Sequence, residues 1–184
     1  MRLGPALTNS FSLARLASVA VTAFASVLLT TSSSAASDAD EPPTLEFAFE
    51  AVVNIEPPKE IGPTPYGMRR RIAITGGSVS GPRLHGKVLP GGADWQLQRA
   101  DDYTVLEADY MLQADDGTLI HVVNRGLSNS RVAGEHPRYV RTVPVFEAPN
   151  GPFAWLNQSV FVATLDALPG KPVPAVRLRF FRVR

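Results

Sequence analysis

The amino-acid sequence predicts an all-β protein, an antiparallel barrel or a sandwich, and two observations carry that prediction. Apolar and polar residues alternate with a period of two in many short segments, which is typical of half-buried strands. The chain also contains 16 prolines and 14 glycines spread along its length, and these residues interrupt long helices. Because no segment longer than about ten residues carries a helical period, helices are not expected to dominate the fold.

The first 36 residues have the pattern of a secretory signal peptide. They contain two arginines and no acid, and an uncharged, mostly apolar stretch covers residues 16–29. Small residues then lead to Ser34-Ala35-Ala36, which fits a small-x-small cleavage site. A retained membrane anchor is the alternative, but the end of the stretch is mostly Ser and Thr and only weakly apolar. We expect cleavage before Ser37 and a periplasmic or secreted protein without stable membrane association.

The composition limits the possible functions. The chain has 184 residues, enough for one domain and little more. It has no cysteine, which excludes disulfides, thiolate metal sites, a cysteine nucleophile and a lipid anchor on cysteine. Two of the 18 basic residues lie in the first 36, so the mature chain balances 16 bases against 17 acids. Neither nucleic acid nor an anionic membrane is therefore an expected partner, and the oligomeric state is left open.

The mature chain divides into nine predicted strands separated by turns. An acidic lead-in covers residues 37–43, and residues 54–67, with four prolines and two glycines, are predicted to form a loop. Asp115-Asp116-Gly117 indicates a hairpin, and Pro149-Asn150-Gly151-Pro152 indicates another turn. The predicted strands are Leu45–Val53, Met68–Thr75, Arg83–Leu89, Trp95–Arg99, Tyr103–Gln113, Thr118–Asn124, Tyr139–Glu147, Gln158–Leu165 and Ala175–Val183.

Two patterns that could carry chemistry are better explained as structure. Residues 72–81 look like a strand running into a glycine-rich nucleotide loop, but such a loop needs a following helix to hold a phosphate. Pro82 and Gly86 interrupt any helix there, so turn or bulge glycines are favoured. The three histidines have no ligand-like spacing, and we expect neither a metal ion nor a cofactor.

Asp94 and Arg141 are the candidate catalytic residues. Asp94 follows a Gly-Gly turn and precedes Trp95, a position that can lie at a barrel mouth, where burial would raise the pKa of its carboxyl group. Arg141 lies in a strand flanked by apolar residues, so its side chain is expected to point into the interior. A buried arginine requires a carboxylate or an anionic ligand. Asp94 could be that carboxylate, and the pair would then be structural.

Trp155 and Asn157 allow two interpretations. They could supply a stacking surface and a fork of hydrogen bonds to a ligand. They could equally be a core tryptophan and an asparagine that caps a turn.

Several segments, taken in order, resemble the UPF0311 (DUF3237) family. The most specific is residues 81–95, which ends in Gly-Gly-Ala-Asp-Trp; the later segments that fit are Asp115–Val122, Asn124–Gly126, Tyr139–Pro144 and Phe153–Asn157. The resemblance covers about residues 44–183 and implies a small lipocalin-like antiparallel barrel, with no general activity attached. Asp102-Tyr103 and Asp109-Tyr110 stand where the family tends to have Asp-Gly and Arg-Tyr. A carboxylate in place of that arginine would change the charge of a shared pocket.

The resemblance and the strand pattern together predict one closed or nearly closed antiparallel barrel of about eight to ten strands over residues 44–184. The leading hypothesis is an exported protein that binds a small molecule in the barrel mouth. The alternative is a cofactor-free lyase, isomerase or hydrolase, with Asp94 as general acid or base and Arg141 stabilising negative charge. A structural module without a deep cavity is the third possibility. The expected ligand-binding residues are Arg83, Asp94, Trp95, Tyr110, His121, Arg141, Trp155 and Asn157.

Overall fold

The computed structural model describes residues 41–129 and 139–184, so the predicted signal peptide and the first part of the acidic lead-in lie outside it. The described part contains ten strands and one short 3-10 turn, Ala154–Leu156, and it has no helix long and apolar enough to cross a bilayer. The strands are β1 (Leu45–Ile55), β2 (Lys59–Thr64), β3 (Gly67–Ser80), β4 (Gly86–Val88), β5 (Ala93–Gln98), β6 (Tyr103–Ala114), β7 (Leu119–Asn129), β8 (Tyr139–Glu147), β9 (Phe161–Ala167) and β10 (Ala175–Val183).

All ten strands belong to one antiparallel sheet that closes on itself. Hydrogen bonding runs from β1 through β10, β9, β8, β7 and β6 and then through β4 and β5 to β3. β3 pairs with β1 again, which closes the ring. β4 and β5 share one place between β3 and β6, and β2 continues β1 alongside β3. Ten strands thus fill eight positions, and the predicted antiparallel barrel is confirmed.

Nine of the ten strands overlap the nine predicted strands, and β2 is the exception. The prediction of a loop over residues 54–67 is wrong for Lys59–Thr64, which pairs with β3 from Arg71 to Gly67. Within the described residues β2 pairs with β3 alone, so the backbone N–H groups on its other edge take no part in sheet hydrogen bonding. Proline is tolerated on such an edge strand, and Pro63 therefore does not prevent the pairing.

One half of the barrel interior is filled by aromatic side chains. The rings of Phe49 and Phe180 stack with their centroids 4.4 Å apart, and Phe146 meets Phe161 edge-on at 5.1 Å. Trp155, from the short turn between β8 and β9, lies against Phe161 at 5.8 Å. All five side chains are buried. This half, called the aromatic half below, is a packed core.

Candidate functional site

The other half of the barrel encloses a cavity of about 160 Å³, and we call it the cavity half. Its walls are the inward-facing side chains of β1, β3, β5, β6, β7, β8, β9 and β10. The apolar lining residues are Val53, Ile55, Ile72, Ile74, Leu106, Ala108, Val140, Leu165, Val176 and Leu178, and the polar ones are Arg70, Asp94, Gln96, Thr104, Tyr110, Asn124, Ser128 and Thr142.

Three polar atoms in this lining are buried without a hydrogen-bond partner among residues 41–129 and 139–184. They are the hydroxyl oxygens of Tyr110 and Thr142 and the amide oxygen Oδ1 of Asn124. An unpartnered buried group of this kind costs about 1–3 kcal/mol, so the folded protein gives up stability here. Unmet hydrogen bonds along an otherwise apolar wall are typical of a binding site that a ligand completes.

A chain of side chains crosses the cavity wall from Arg70 to Asp94. Arg70 Nε donates to Gln96 Oε1 at 2.7 Å, and Gln96 Nε2 donates to Asp94 Oδ2 at 2.5 Å. The other carboxyl oxygen of Asp94, Oδ1, accepts the backbone N–H of Glu107 at 3.1 Å. The strand register produces this order, since Arg70 of β3 lies directly opposite Gln96 of β5, and residues two apart on a strand share a face.

Burial of Asp94, and not its hydrogen-bonded neighbours, favours a proton on its carboxyl group. Burial raises the pKa of Asp94 above its ordinary value, opposed by the hydrogen bonds from Gln96 and from the amide of Glu107 and by the charge of Arg70. The pKa of the Tyr110 phenol is also raised, first by burial and then by the charge of Asp94. A carboxyl group that holds its proton more tightly than usual inside a cavity can act as a general acid.

Glycines before Asp94 allow β5 and β6 to approach closely. Gly91 has a φ of +106°, which side-chain-bearing residues rarely adopt. A Cβ atom on Gly92 would lie 2.5 Å from the Cβ of Tyr110. The Gly-Gly pair therefore lets the backbone before Asp94 pack directly against the strand that carries Tyr110, and the two polar groups reach the same cavity.

Of the eight predicted ligand-binding residues, Asp94 and Tyr110 line the cavity. Trp95 is 41% exposed on the outer face of the barrel, where the guanidinium of Arg71 lies 5.8 Å from its ring centroid. His121 also lies outside, with its Nε2 atom 2.9 Å from Oδ1 of Asp109. Asp109 is exposed there and does not line the interior cavity.

The expectation that Arg141 points into the interior is wrong. Along β8 the buried residues are Val140 and Thr142, and Arg141 between them is exposed. Its Nη1 atom donates to the carbonyl of Val140 at 2.8 Å, and its guanidinium lies 5.5 Å from the ring centroid of Tyr139. The arginine that reaches Asp94, through Gln96, is Arg70.

Arg83, Trp155 and Asn157 lie at the aromatic half rather than in the cavity. The guanidinium of Arg83 lies 4.4 Å from the ring centroid of Trp155. Asn157 accepts the backbone N–H of Ala148 at 2.8 Å through Oδ1 and donates to its carbonyl at 2.7 Å through Nδ2. Trp155 is thus packed in the aromatic half, and Asn157 bridges the backbone of Ala148 across the turn. The eight predicted residues do not form one pocket.

The sequence prediction missed most of the polar residues that line the cavity, although the alternation of side chains along each strand could have placed some of them on the inner face. Arg70 lies between Arg69 and Arg71 and shares the face of Ile72, two positions along the strand. Thr142 follows Val140 in the same way on β8. The missed residues are Arg70, Gln96, Thr104, Asn124, Ser128 and Thr142. Across the described ranges no three His, Asp or Glu side chains are grouped as a metal site.

The fold and the cavity define a class of protein, the small closed antiparallel barrels that enclose a mostly apolar pocket with a few polar groups. Within that class the chain belongs to the DUF3237 family, described as protein of unknown function, whose model matches residues 43–183.

Three relatives illustrate the range of similarity. A UPF0311 protein of Clostridium acetobutylicum is 31% identical over 150 residues, which cover 75% of this chain and 92% of that protein. A crystal structure of a protein of unknown function from the same organism has a TM-score of 0.70 at 32% identity, covering 78% of this chain and 99% of the other. A hydroalkoxylation enzyme of Penicillium herquei is 32% identical over 81 residues, or 44% of this chain and 54% of the enzyme.

Proposed function

We propose that this protein binds a small, ring-sized molecule carrying hydroxyl or carbonyl groups inside the cavity half of its barrel. The observation that carries the proposal is the set of three buried, unpartnered polar atoms on Tyr110, Asn124 and Thr142, all on residues that line the cavity. Two hydroxyl groups and one amide oxygen can satisfy both donors and acceptors on a ligand. The aliphatic remainder of the wall favours an apolar body.

The cavity volume sets the size of the expected ligand. A cavity of about 150 Å³ is known to hold one benzene molecule, and the cavity here measures about 160 Å³. A single ring with one or two polar substituents therefore fits, whereas a larger ligand would have to extend out of the barrel. Phenol is the simplest probe that combines the ring with a hydroxyl group.

Calorimetric titration with phenol and with toluene tests the proposal. Phenol is expected to bind more tightly, because its hydroxyl can reach the unmet hydrogen bonds that toluene leaves open. Ala108→Leu adds bulk to the cavity wall between Asp94 and Asn124 in the strand register and should weaken phenol binding at least about tenfold. Val143→Leu adds a methylene on the exposed face of β8 and is the matched control. Equal affinity for the two probes, or equal behaviour of the two variants, would count against the cavity.

The second candidate function is cofactor-free acid catalysis by Asp94, and the raised pKa of its carboxyl favours it. A relative of this chain is a hydroalkoxylation enzyme, and hydroalkoxylation adds the O–H bond of an alcohol or phenol across a carbon–carbon double bond. A proton joins one alkene carbon, the hydroxyl oxygen bonds to the other, and the hydroxyl proton is released. Protonated Asp94 could donate the first proton and recover the second, so the reaction needs no oxidant or reductant.

Turnover of an ortho-allyl phenol to its cyclic ether is the direct assay. Asp94→Asn should lower the rate at least about a hundredfold, since general acid catalysis contributes on that order. Asp109→Asn makes the same substitution on the outer face and should leave the rate unchanged. Turnover that survives Asp94→Asn would remove Asp94 from the acid role without affecting the binding proposal.

Export is a separate part of the proposal and rests on the signal-peptide pattern of residues 1–36. Intact mass of the protein recovered from periplasm or medium should match a chain that starts near Ser37. Recovery of the full-length chain from the cytoplasm would contradict it.

A further inference from the structure

A second and smaller pocket lies at the aromatic half of the barrel. It has a volume of about 60 Å³, and its polar walls are Glu46, Arg83, Trp155 and Arg182. None of these residues lines the cavity. The small pocket is therefore a separate feature, and the cavity proposal neither uses nor explains it.

Two buried nitrogen atoms in the walls of this pocket have no acceptor. Nε1 of Trp155 and Nε of Arg182 are inaccessible to solvent and have no hydrogen-bond partner within the part of the chain that the structure describes. Indole and guanidinium N–H groups can only donate, so an acceptor atom on a bound molecule would satisfy them. Trp155 is itself more than nine-tenths buried, which makes its unmet donor a built feature of the pocket.

The charge around the pocket favours an anion. The guanidinium of Arg83 lies 4.4 Å from the ring centroid of Trp155, and Arg83 and Arg182 both line the pocket. Glu46 is the one carboxylate among the described lining residues, and it is already hydrogen-bonded to Arg184. The bond from Arg184, with the charges of Arg182 and Arg83, keeps the pKa of Glu46 below its ordinary value. Among the described lining residues, the positive charges of Arg83 and Arg182 thus outnumber the single carboxylate of Glu46, which is already hydrogen-bonded to Arg184.

We propose that this pocket binds the carboxylate group of a small organic acid, with Trp155 and Arg182 donating to its oxygens and Arg83 adding positive charge. A planar pair of oxygens matches the fixed fork of a guanidinium better than a spherical halide does. The pocket is several times larger than the roughly 15 Å³ that one water molecule requires, so a group of the size of acetate fits.

The two tryptophans of the chain provide the reporter. The indole N–H resonances of Trp155 and Trp95 can be followed while sodium acetate replaces sodium chloride at constant ionic strength, and Trp95→Phe assigns them. The Trp155 resonance is expected to shift and saturate, because its N–H gains an acceptor. Trp95, exposed on the outer face, should not move. No shift at Trp155, or an equal linear drift of both resonances, would overturn the proposal.

Substitutions distinguish acetate binding in the small pocket from a general attraction of acetate to positive charge. Arg182→Met should weaken acetate binding about tenfold or more, the usual loss for a charge-assisted hydrogen bond. Arg177→Met is the matched control on the same strand, since Arg177 is exposed and does not line the small pocket. If Arg182→Met does not fold, Arg83→Gln tests the same pocket, because Arg83 is exposed and its loss should be tolerated. Equal acetate affinity in a pocket variant and in Arg177→Met would overturn the assignment.

Discussion

Strand β8 contributes Phe146 to the aromatic half and Thr142 to the cavity half, and the two residues show how the halves differ. Phe146 is packed edge-on against Phe49, Phe161 and Phe180, whereas the buried hydroxyl of Thr142 has no partner within the described residues. Both halves share the same hydrogen-bonded ring, so their difference lies in the inward side chains. Close packing in one half stabilises the barrel, which allows the other half to keep empty volume and unmet polar groups.

The largest expected effect comes from removing an aromatic ring. Phe180 is fully buried and stacked on Phe49 at 4.4 Å, so Phe180→Ala should lower the free energy of unfolding by about 3–5 kcal/mol. Urea denaturation measures the change. Phe47→Ala, at a ring that is 36% exposed, should cost less than half as much. Equal costs would mean that the aromatic half is not the stabilising half.

A smaller effect, of opposite sign, is expected in the cavity half. Thr142→Val keeps the shape of the side chain and removes a buried hydroxyl that has no partner within the described residues. The free energy of unfolding should rise by about 1 kcal/mol, while the affinity for phenol should fall. A variant that loses stability would show that the hydroxyl is satisfied within the protein, and the comparison between the halves would then weaken.

The smallest effect is a pH dependence at Asp94. Burial raises the pKa of this carboxyl in the folded protein above the value of 3.8 that applies to an unperturbed aspartate. The folded state therefore holds this proton more tightly than the unfolded chain, and the contribution to stability falls as pH rises from the ordinary pKa through the raised one. Asp94→Asn lacks this contribution. Denaturation at a series of pH values should show wild type losing stability relative to Asp94→Asn across that window.

Asp109→Asn supplies the control for the pH series, since Asp109 lies on the outer face. The fall with rising pH should be specific to the comparison with Asp94→Asn. A wild-type advantage over Asp94→Asn that grows with pH would mean that hydrogen bonds from Gln96 and Glu107 outweigh burial at this carboxyl.

Most of the barrel could be predicted from the sequence because strand alternation is a local property. Nine strands follow directly from it, and β2 was missed because Pro63 and the prolines that flank the strand resemble those of a loop. Asp94 and Tyr110 were predicted and line the cavity. Arg141 was misassigned because apolar neighbours suggested burial, although Val143 and Val145 beside it are themselves exposed.

The rest of the site depends on closure of the ring, which no local pattern contains. Arg70 and Gln96 become neighbours through the pairing of β3 with β5, and Asn124 and Thr142 join them only because β7 and β8 continue the same ring. Alternation can assign a side chain to a face of its strand. It cannot say which positions on distant strands face the same volume, and it cannot distinguish an apolar residue turned inward from one left exposed on the outer wall.

The Pro90–Gly92 segment between β4 and β5 sets which side chains of β5 face the cavity and which face the outside. β4 and β5 occupy one position in the ring, so this segment is the point at which the count of residues along that position can change. The number of residues in this segment fixes the alternation along β5, so that Asp94 faces the cavity and Trp95 the outside. A single inserted or deleted residue transmitted into β5 would exchange the two faces. The indole of Trp95 would then point into the barrel and the carboxyl group of Asp94 would lie on its surface.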